Sequence, residues 1–176
     1  YIYNTCTVWH DGKLISKYRK IHLFDINIPN KVFFKESLMI SSGNLPCIFT
    51  TPWGKIGLGI CYDLRFPELA NYYYKQGCFL ICYPGCFTMT TGAMHWELLN
   101  RSRALDNQIF VASCSTARNM DSMYISWAHS MVVNPWGNIL DNLEEKEGVI
   151  AVDLDLEEIK RIGSSIPCLT QIKCIK

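Results

Sequence analysis

Apolar and polar positions alternate in two short runs near the start of the chain. Residues 5–9 and 13–18 read as strands, and Asp11 with Gly12 between them is the two-residue turn of a hairpin. Residues 22–46 break the pattern. They hold Pro29, Asn30, Ser41, Ser42, Gly43 and Pro46, so the region reads as a long loop, and loops of that length in compact domains tend to be functional. A short strand follows at 47–50, then a turn at Pro52, Trp53 and Gly54. The run KIGLGIC at 55–61 is almost continuously apolar, the mark of a strand covered on both faces.

From there strands and helices alternate. Pro67 opens a helix predicted over 67–76, with Gly77 as its stop. Residues 79–83 read as a second buried strand, 93–107 as a second helix and 109–115 as a third strand. Residues 130–133 and 138–141 form another hairpin around Asn134, Pro135, Trp136 and Gly137; 149–153 reads as a strand and 156–162 as a short helix. This alternation predicts an α/β layered fold with crossover helices. The stretch 1–176 reads as a single domain.

Composition narrows the function classes. The 176 residues are 49% hydrophobic and 19% charged, which suits a chain with a sizeable core. The net charge is +1 and the basic residues are scattered, so the stripe of a nucleic-acid binder is missing. No apolar run reaches the roughly 18 residues of a membrane span. Neither nucleic acid nor membrane is therefore an expected partner, and no signal peptide is legible. The nine cysteines are irregularly spaced. Cys78, Cys82 and Cys86 lie four apart, but 79–83 reads as a strand broken by Pro84 and Gly85, which does not gather three thiols at one ion. They read instead as reduced thiols of a cytosolic-type compartment, used as small core residues. Tyr1, Ile2 and Tyr3 are large with no polar lead-in, so the start reads as the inside of a fold and upstream sequence is expected.

The chemistry concentrates in GLGICYDLRFPEL at 57–69. Cys61 ends a buried strand where the chain turns toward a helix. Such a turn presents a side chain at a cleft and aims backbone N–H groups at an oxyanion. A nearby helix N-terminus also favours the reactive thiolate. Arg65, four residues on, is placed to bind an anionic group. The same pattern also describes a structural cysteine at a strand end, and the residues alone leave both readings open. In KYRKIHLFD at 17–25, Lys20 lies between Arg19 and the apolar Ile21. Glu36 follows Phe33 and Phe34, and a carboxylate buried there needs a cationic partner. Taken alone, each is either structural or catalytic. None of His10, His22, His95 and His129 sits in a Cys–His protease signature.

Together KYRKIHLFD, FKES, GLGICYDLRFPEL, YPGCFTMTTGAMHWELLNRSRALDNQ and VVNPWGNIL resemble the motif set of the nitrilase (carbon–nitrogen hydrolase) superfamily, near its omega-amidase branch. The resemblance runs over essentially the whole chain. It implies a four-layer α-β-β-α sandwich, incomplete at the N-terminus. It also implies a Glu–Lys–Cys triad whose lysine falls on Lys20 and whose cysteine falls on Cys61. A second family glutamate, which holds the lysine, falls on Glu36, and the N–H of Tyr62 shares the oxyanion. The general-base glutamate falls ahead of residue 1; Glu68 and Glu97 follow the cysteine and do not replace it. Arg65, Phe87 and Thr91 match the positions that bind the far end of the substrate.

The implied reaction is hydrolysis of a short dicarboxylate monoamide, 2-oxoglutaramate or 2-oxosuccinamate, to the 2-oxo dicarboxylate and ammonia. It proceeds through a cysteine thioester and needs no metal or organic cofactor. The alternatives are a sibling amidase acting on deaminated glutathione or N-carbamoyl compounds, or an inactive fragment without its base. The implied partners are the small-molecule amide and a second copy in a homodimer, through the helices at 66–76 and 95–107. The implied compartment is cytoplasmic or mitochondrial.

Overall fold

The computed structural model describes residues 1–30 and 32–173. Strands β1 (Thr5–His10) and β2 (Lys13–Arg19) pair antiparallel. Asp11 and Gly12 between them take φ of +48° and +70°, the left-handed backbone a tight two-residue hairpin turn requires. The region 22–46 differs from a plain loop. It holds a second hairpin, β3 (Asp25–Ile28) with β4 (Val32–Lys35), and a 3-10 turn at Glu36–Leu38. Strands of four residues are too short to show a clear period, and Pro29 and Asn30, read as loop punctuation, mark the turn between them.

The main sheet has six strands in the order β10-β9-β8-β7-β6-β5. These are β5 (Cys47–Thr51), β6 (Gly54–Leu58), β7 (Cys78–Pro84), β8 (Phe110–Cys114), β9 (Met131–Val133) and β10 (Ile139–Asn142). β6, β7 and β8 run parallel, and the flanking strands antiparallel. Helix α1 (Pro67–Lys75) connects β6 to β7, and α2 (Met89–Asn107) connects β7 to β8. Successive right-handed crossovers that step the same way across a sheet place both helices on one face. There Tyr73, Ile81, Trp96, Val111 and Val133 form the core, none more than 1% exposed.

On the other face Leu58 and Ile60 pack with Tyr18 and Cys47, so the β1–β2 hairpin is a second β layer. The architecture is α/β, with the helix, sheet and second β layers of an α-β-β-α sandwich. Helix α3 (Leu156–Ser165) is capped by Asp155, whose carboxylate accepts the Glu157 N–H at 3.0 Å. Among the described residues no helix is long and apolar enough to cross a membrane.

Several elements depart from the sequence reading. Residues 149–153 form no strand: among the described residues no neighbouring strand bonds to them, and Val149 is 86% exposed. Helix α2 begins at Met89, not 93, because Thr88 caps it by accepting the Thr91 N–H on its hydroxyl at 3.3 Å. The Thr-Thr-Gly run inside its first turn has weak helix propensity and hides that start. β6 ends at Leu58, so Gly59, Ile60 and Cys61 already belong to the turn.

Two buried tyrosines test the core's polar accounting. The Tyr73 hydroxyl donates to the Leu58 carbonyl and accepts the Cys47 N–H, tying α1 to β5 and β6. The Tyr83 hydroxyl is buried with no partner among the described residues. Tyr73→Phe leaves two backbone groups unpaired and is expected to cost about 1–3 kcal/mol. Tyr83→Phe removes an unsatisfied group and is expected to be neutral or to stabilise by up to about 1 kcal/mol. Urea denaturation of both variants gives the comparison.

Candidate active site

The carboxyl ends of the parallel strands β6, β7 and β8 converge on one edge of the sheet, where open α/β sheets bind ligands. A cleft of about 640 Å³ opens there, lined by Cys61, Cys86 and Thr116 from that edge and by Lys20 and Glu36 from the two hairpins. No histidine lies among the residues lining it.

Cys61 opens a 3-10 turn, Cys61–Arg65, with φ of +49°, left-handed backbone that costs a residue with a β-carbon on the order of 1–3 kcal/mol. Such strain persists where the surrounding structure holds it, and Gly85 is part of that hold. A β-carbon on Gly85 would lie 2.8 Å from Cys61 Cα, so the turns after β6 and β7 touch and only glycine fits between them. Cys61 Sγ lies 3.5 Å from the Cys86 carbonyl oxygen. Burial pushes its thiol above the ordinary value of 9.0, against the pull of the Cys86 backbone and the Lys20 cation.

Lys20 ends the β1–β2 layer and is 2% exposed. Its Nζ donates to Glu36 Oε2 at 2.6 Å. Its N–H donates to the Asn4 carbonyl at 2.9 Å, and its carbonyl accepts the Gly43 N–H at 2.7 Å. Glu36, 8% exposed, also accepts the Phe24 N–H at 2.6 Å and the Asn4 amide at 3.4 Å. The carboxylate therefore fixes the ammonium, and both lie at the cleft wall.

A second buried carboxylate holds the Cys61 turn. Asp63 is fully buried and accepts four hydrogen bonds. Oδ2 takes the Tyr18 hydroxyl and the Ile60 N–H, both at 2.8 Å; Oδ1 takes the His22 N–H at 3.0 Å and pairs with His22 Nδ1 at 2.7 Å. The His22 ring stacks on Phe66 with centroids 3.6 Å apart. Reading the sequence missed this network. Its one local signal is a carboxylate set between Tyr62 and Leu64, two residues after the cysteine.

Arg65, Phe87 and Thr91 come together beside Cys61, in a recess also lined by Phe24 and Tyr62. The Arg65 guanidinium lies 4.8 Å from the Phe87 ring centroid. It donates to His95 Nδ1 at 3.2 Å, since a guanidinium has no acceptor. Among the described residues no carboxylate pairs with it. The Tyr62 ring packs edge-on against Phe24 and Phe66.

Comparison with known proteins gives the family and the fold. The carbon–nitrogen hydrolase family model matches residues 1–163. The chain is 51% identical to the omega-amidase NIT2 of Homo sapiens over 97% of its own length and 62% of that protein. The chain thus spans about three-fifths of the length of the curated relatives it matches. Among solved structures, Nit3 of Saccharomyces cerevisiae, a member of branch 10 of the nitrilase superfamily, superposes with a TM-score of 0.85 at 44% identity, covering 94% of this chain and 58% of that one. The NitFhit protein of C. elegans gives a TM-score of 0.85 at 36% identity, covering 97% and 42%.

The buried pair and the thiol give two predictions. Lys20→Met leaves Glu36 buried without its cation and is expected to cost about 3–5 kcal/mol, much of it recovered when Glu36→Gln is added. Urea denaturation of the single and double variants measures this. Because burial raises the Cys61 thiol, its alkylation by iodoacetamide should still be accelerating as pH passes 9.0. In the double variant the rise should move slightly to higher pH, since the lost pull of Lys20 outweighs the lost push of Glu36; peptide mass spectrometry against pH reads both.

Proposed function

The chain belongs to the carbon–nitrogen hydrolase family, and from that premise we propose that it is a cysteine-dependent amidase acting on a short amide with a distal carboxylate, in the manner of an omega-amidase. The observation that carries this reading is the strained Cys61 facing the Lys20–Glu36 pair across one cleft. Cys61 Sγ attacks the amide carbon. The oxyanion is held by the Lys20 ammonium and the Tyr62 N–H, charge placed where charge develops. The amine leaves as ammonia after taking a proton, and water hydrolyses the thioester that remains.

Glu36 is the one carboxylate among the described residues lining the cleft, and it already accepts from Lys20, Phe24 and Asn4. It acts by positioning Lys20. With no second carboxylate among the described residues lining the cleft to move the proton, the reading makes these residues by themselves slow, by about 10²–10⁴.

Arg65 supports the acidic substrate class. It is a half-buried cation with no carboxylate partner among the described residues, beside Phe87 and Thr91 and close to the nucleophile. A guanidinium can fork two bonds to a carboxylate, and a neutral amide has no use for it. 2-Oxoglutaramate and 2-oxosuccinamate have this form.

Ammonia release from 2-oxoglutaramate, measured beside Cys61→Ala, is the test. The expected outcome is slow release that disappears with the thiol. Release equal in both proteins would overturn the reading. Arg65→Lys should raise KM for the acidic amide by about tenfold, with a smaller change in kcat. An unchanged KM would remove Arg65 from the binding site.

We place a second copy of the chain against the outer face of α2. Met94, Leu98 and Leu105 share one face of that helix beside Trp136, each between 49% and 70% exposed. Sedimentation should give a dimer, and Leu98→Asp should shift it to monomer.

A further inference from the structure

The cleft holds more thiol chemistry than amide hydrolysis uses. Cys6, Cys61, Cys86 and Cys114 all line it, the last three at or just past the carboxyl ends of the three parallel strands. Cys86 stands apart in its contact with Cys61. Its carbonyl oxygen lies 3.5 Å from Cys61 Sγ, and Gly85 beside it touches the Cys61 backbone. A carbonyl oxygen sits about 2.4 Å from its own Cα by standard bond lengths, so Cys61 Sγ is within roughly 6 Å of Cys86 Cα. Cys61 and Cys86 line both this cleft and the recess beside Arg65, so the two residues border the same space.

The surrounding backbone is pinned. The Gly85 N–H donates to the Cys114 carbonyl at 2.8 Å, and the Cys86 carbonyl accepts the Tyr124 hydroxyl at 2.9 Å. The Cys86 side chain itself is held only weakly, its sulfur 3.4 Å from the Thr116 hydroxyl. It is half-buried at the cleft rim, open to small solutes.

We propose that Cys61 and Cys86 form an oxidation site, in which Cys61 reacts with a hydroperoxide and Cys86 resolves the product as an intrachain disulfide. The Cys61 thiolate attacks the distal oxygen of the hydroperoxide and the O–O bond breaks. Sulfur is oxidised to the sulfenic acid, and the alkoxide or hydroxide that leaves takes up the proton the thiol lost. The Cys86 thiol then attacks the sulfenic sulfur; the S–O bond breaks and water departs with the Cys86 proton. The balance is two thiols and one hydroperoxide to one disulfide, one alcohol or water from the peroxide, and one water. The Lys20 ammonium favours the first step by stabilising the thiolate, and burial of Cys61 opposes it, so the reaction should quicken as pH rises. The disulfide would occupy the sulfur that the amidase reading needs, and dithiol reductants would release it. The proposal stands without that reading, because its readout is covalent.

The test exposes the folded chain to hydrogen peroxide, blocks the remaining thiols and maps peptides by mass spectrometry. The expected result is one linkage, Cys61 to Cys86, reversed by dithiothreitol. In Cys86→Ser, alkylation of Cys61 by iodoacetamide before oxidation should be unchanged, and Cys61 should pass to the sulfinic acid at least about tenfold faster than in the parent chain, for want of a resolving thiol. A parent chain in which Cys61 goes to sulfinic acid at the same rate as in Cys86→Ser overturns the proposal. So does pairing of Cys61 with Cys114 or another thiol. Ammonia release plays no part in either outcome, so failure of the amidase reading and failure of this one are separable.

Discussion

The buried carboxylate of Asp63 is the constraint on which the site depends. A carboxylate without water is tolerated only when its lone pairs are filled. Here they are filled from two separate layers: Ile60 from the end of the main sheet, and Tyr18 and His22 from the hairpin layer and the segment after it. The same two layers deliver Cys61 and Lys20. Satisfying Asp63 therefore holds the layer that carries the Cys61 thiol against the layer that carries the Lys20 cation. The burial that makes this expensive also pushes the Tyr18 hydroxyl toward its neutral form, so that it remains a donor.

A second consequence of burial runs the other way. Lys20 is held as a buried cation by Glu36, yet the thiol it faces is raised by the same lack of water. On the proposed reading, such a site stabilises charge that appears during attack more than charge at rest, as preorganised donors do. Gly85 contributes by admitting the close approach that holds Cys61 in left-handed backbone. Arg65 lies outside this arrangement, against His95 and the Tyr62 and Phe87 rings, with no carboxylate partner among the described residues.

The sequence showed some of this and hid the rest for physical reasons. The parallel strands β6, β7 and β8 and the helix α1 were legible, because long apolar runs and the Pro67 and Gly77 boundaries are local signals. The β3–β4 hairpin was not, since strands of four residues carry too little periodicity. The strand expected at 149–153 failed because alternation cannot supply a partner edge. Lys20, Glu36 and Cys61 stood out through motif context, and the structure gathers them at one cleft. Tyr18, His22 and Asp63 did not, because their bonds span 41 and 45 residues and each residue is ordinary in its own segment.

The central claim is that Cys61 sulfur bonds to the amide carbon. Rapid acid quench after mixing the chain with a dicarboxylate monoamide, followed by peptide mass spectrometry, tests it directly. The account predicts an acyl mass on the peptide that carries Cys61 and on no other, formed with release of one ammonia. Ammonia released with no acylated Cys61 at any quench time, or an acyl group on Cys86 instead, would contradict it.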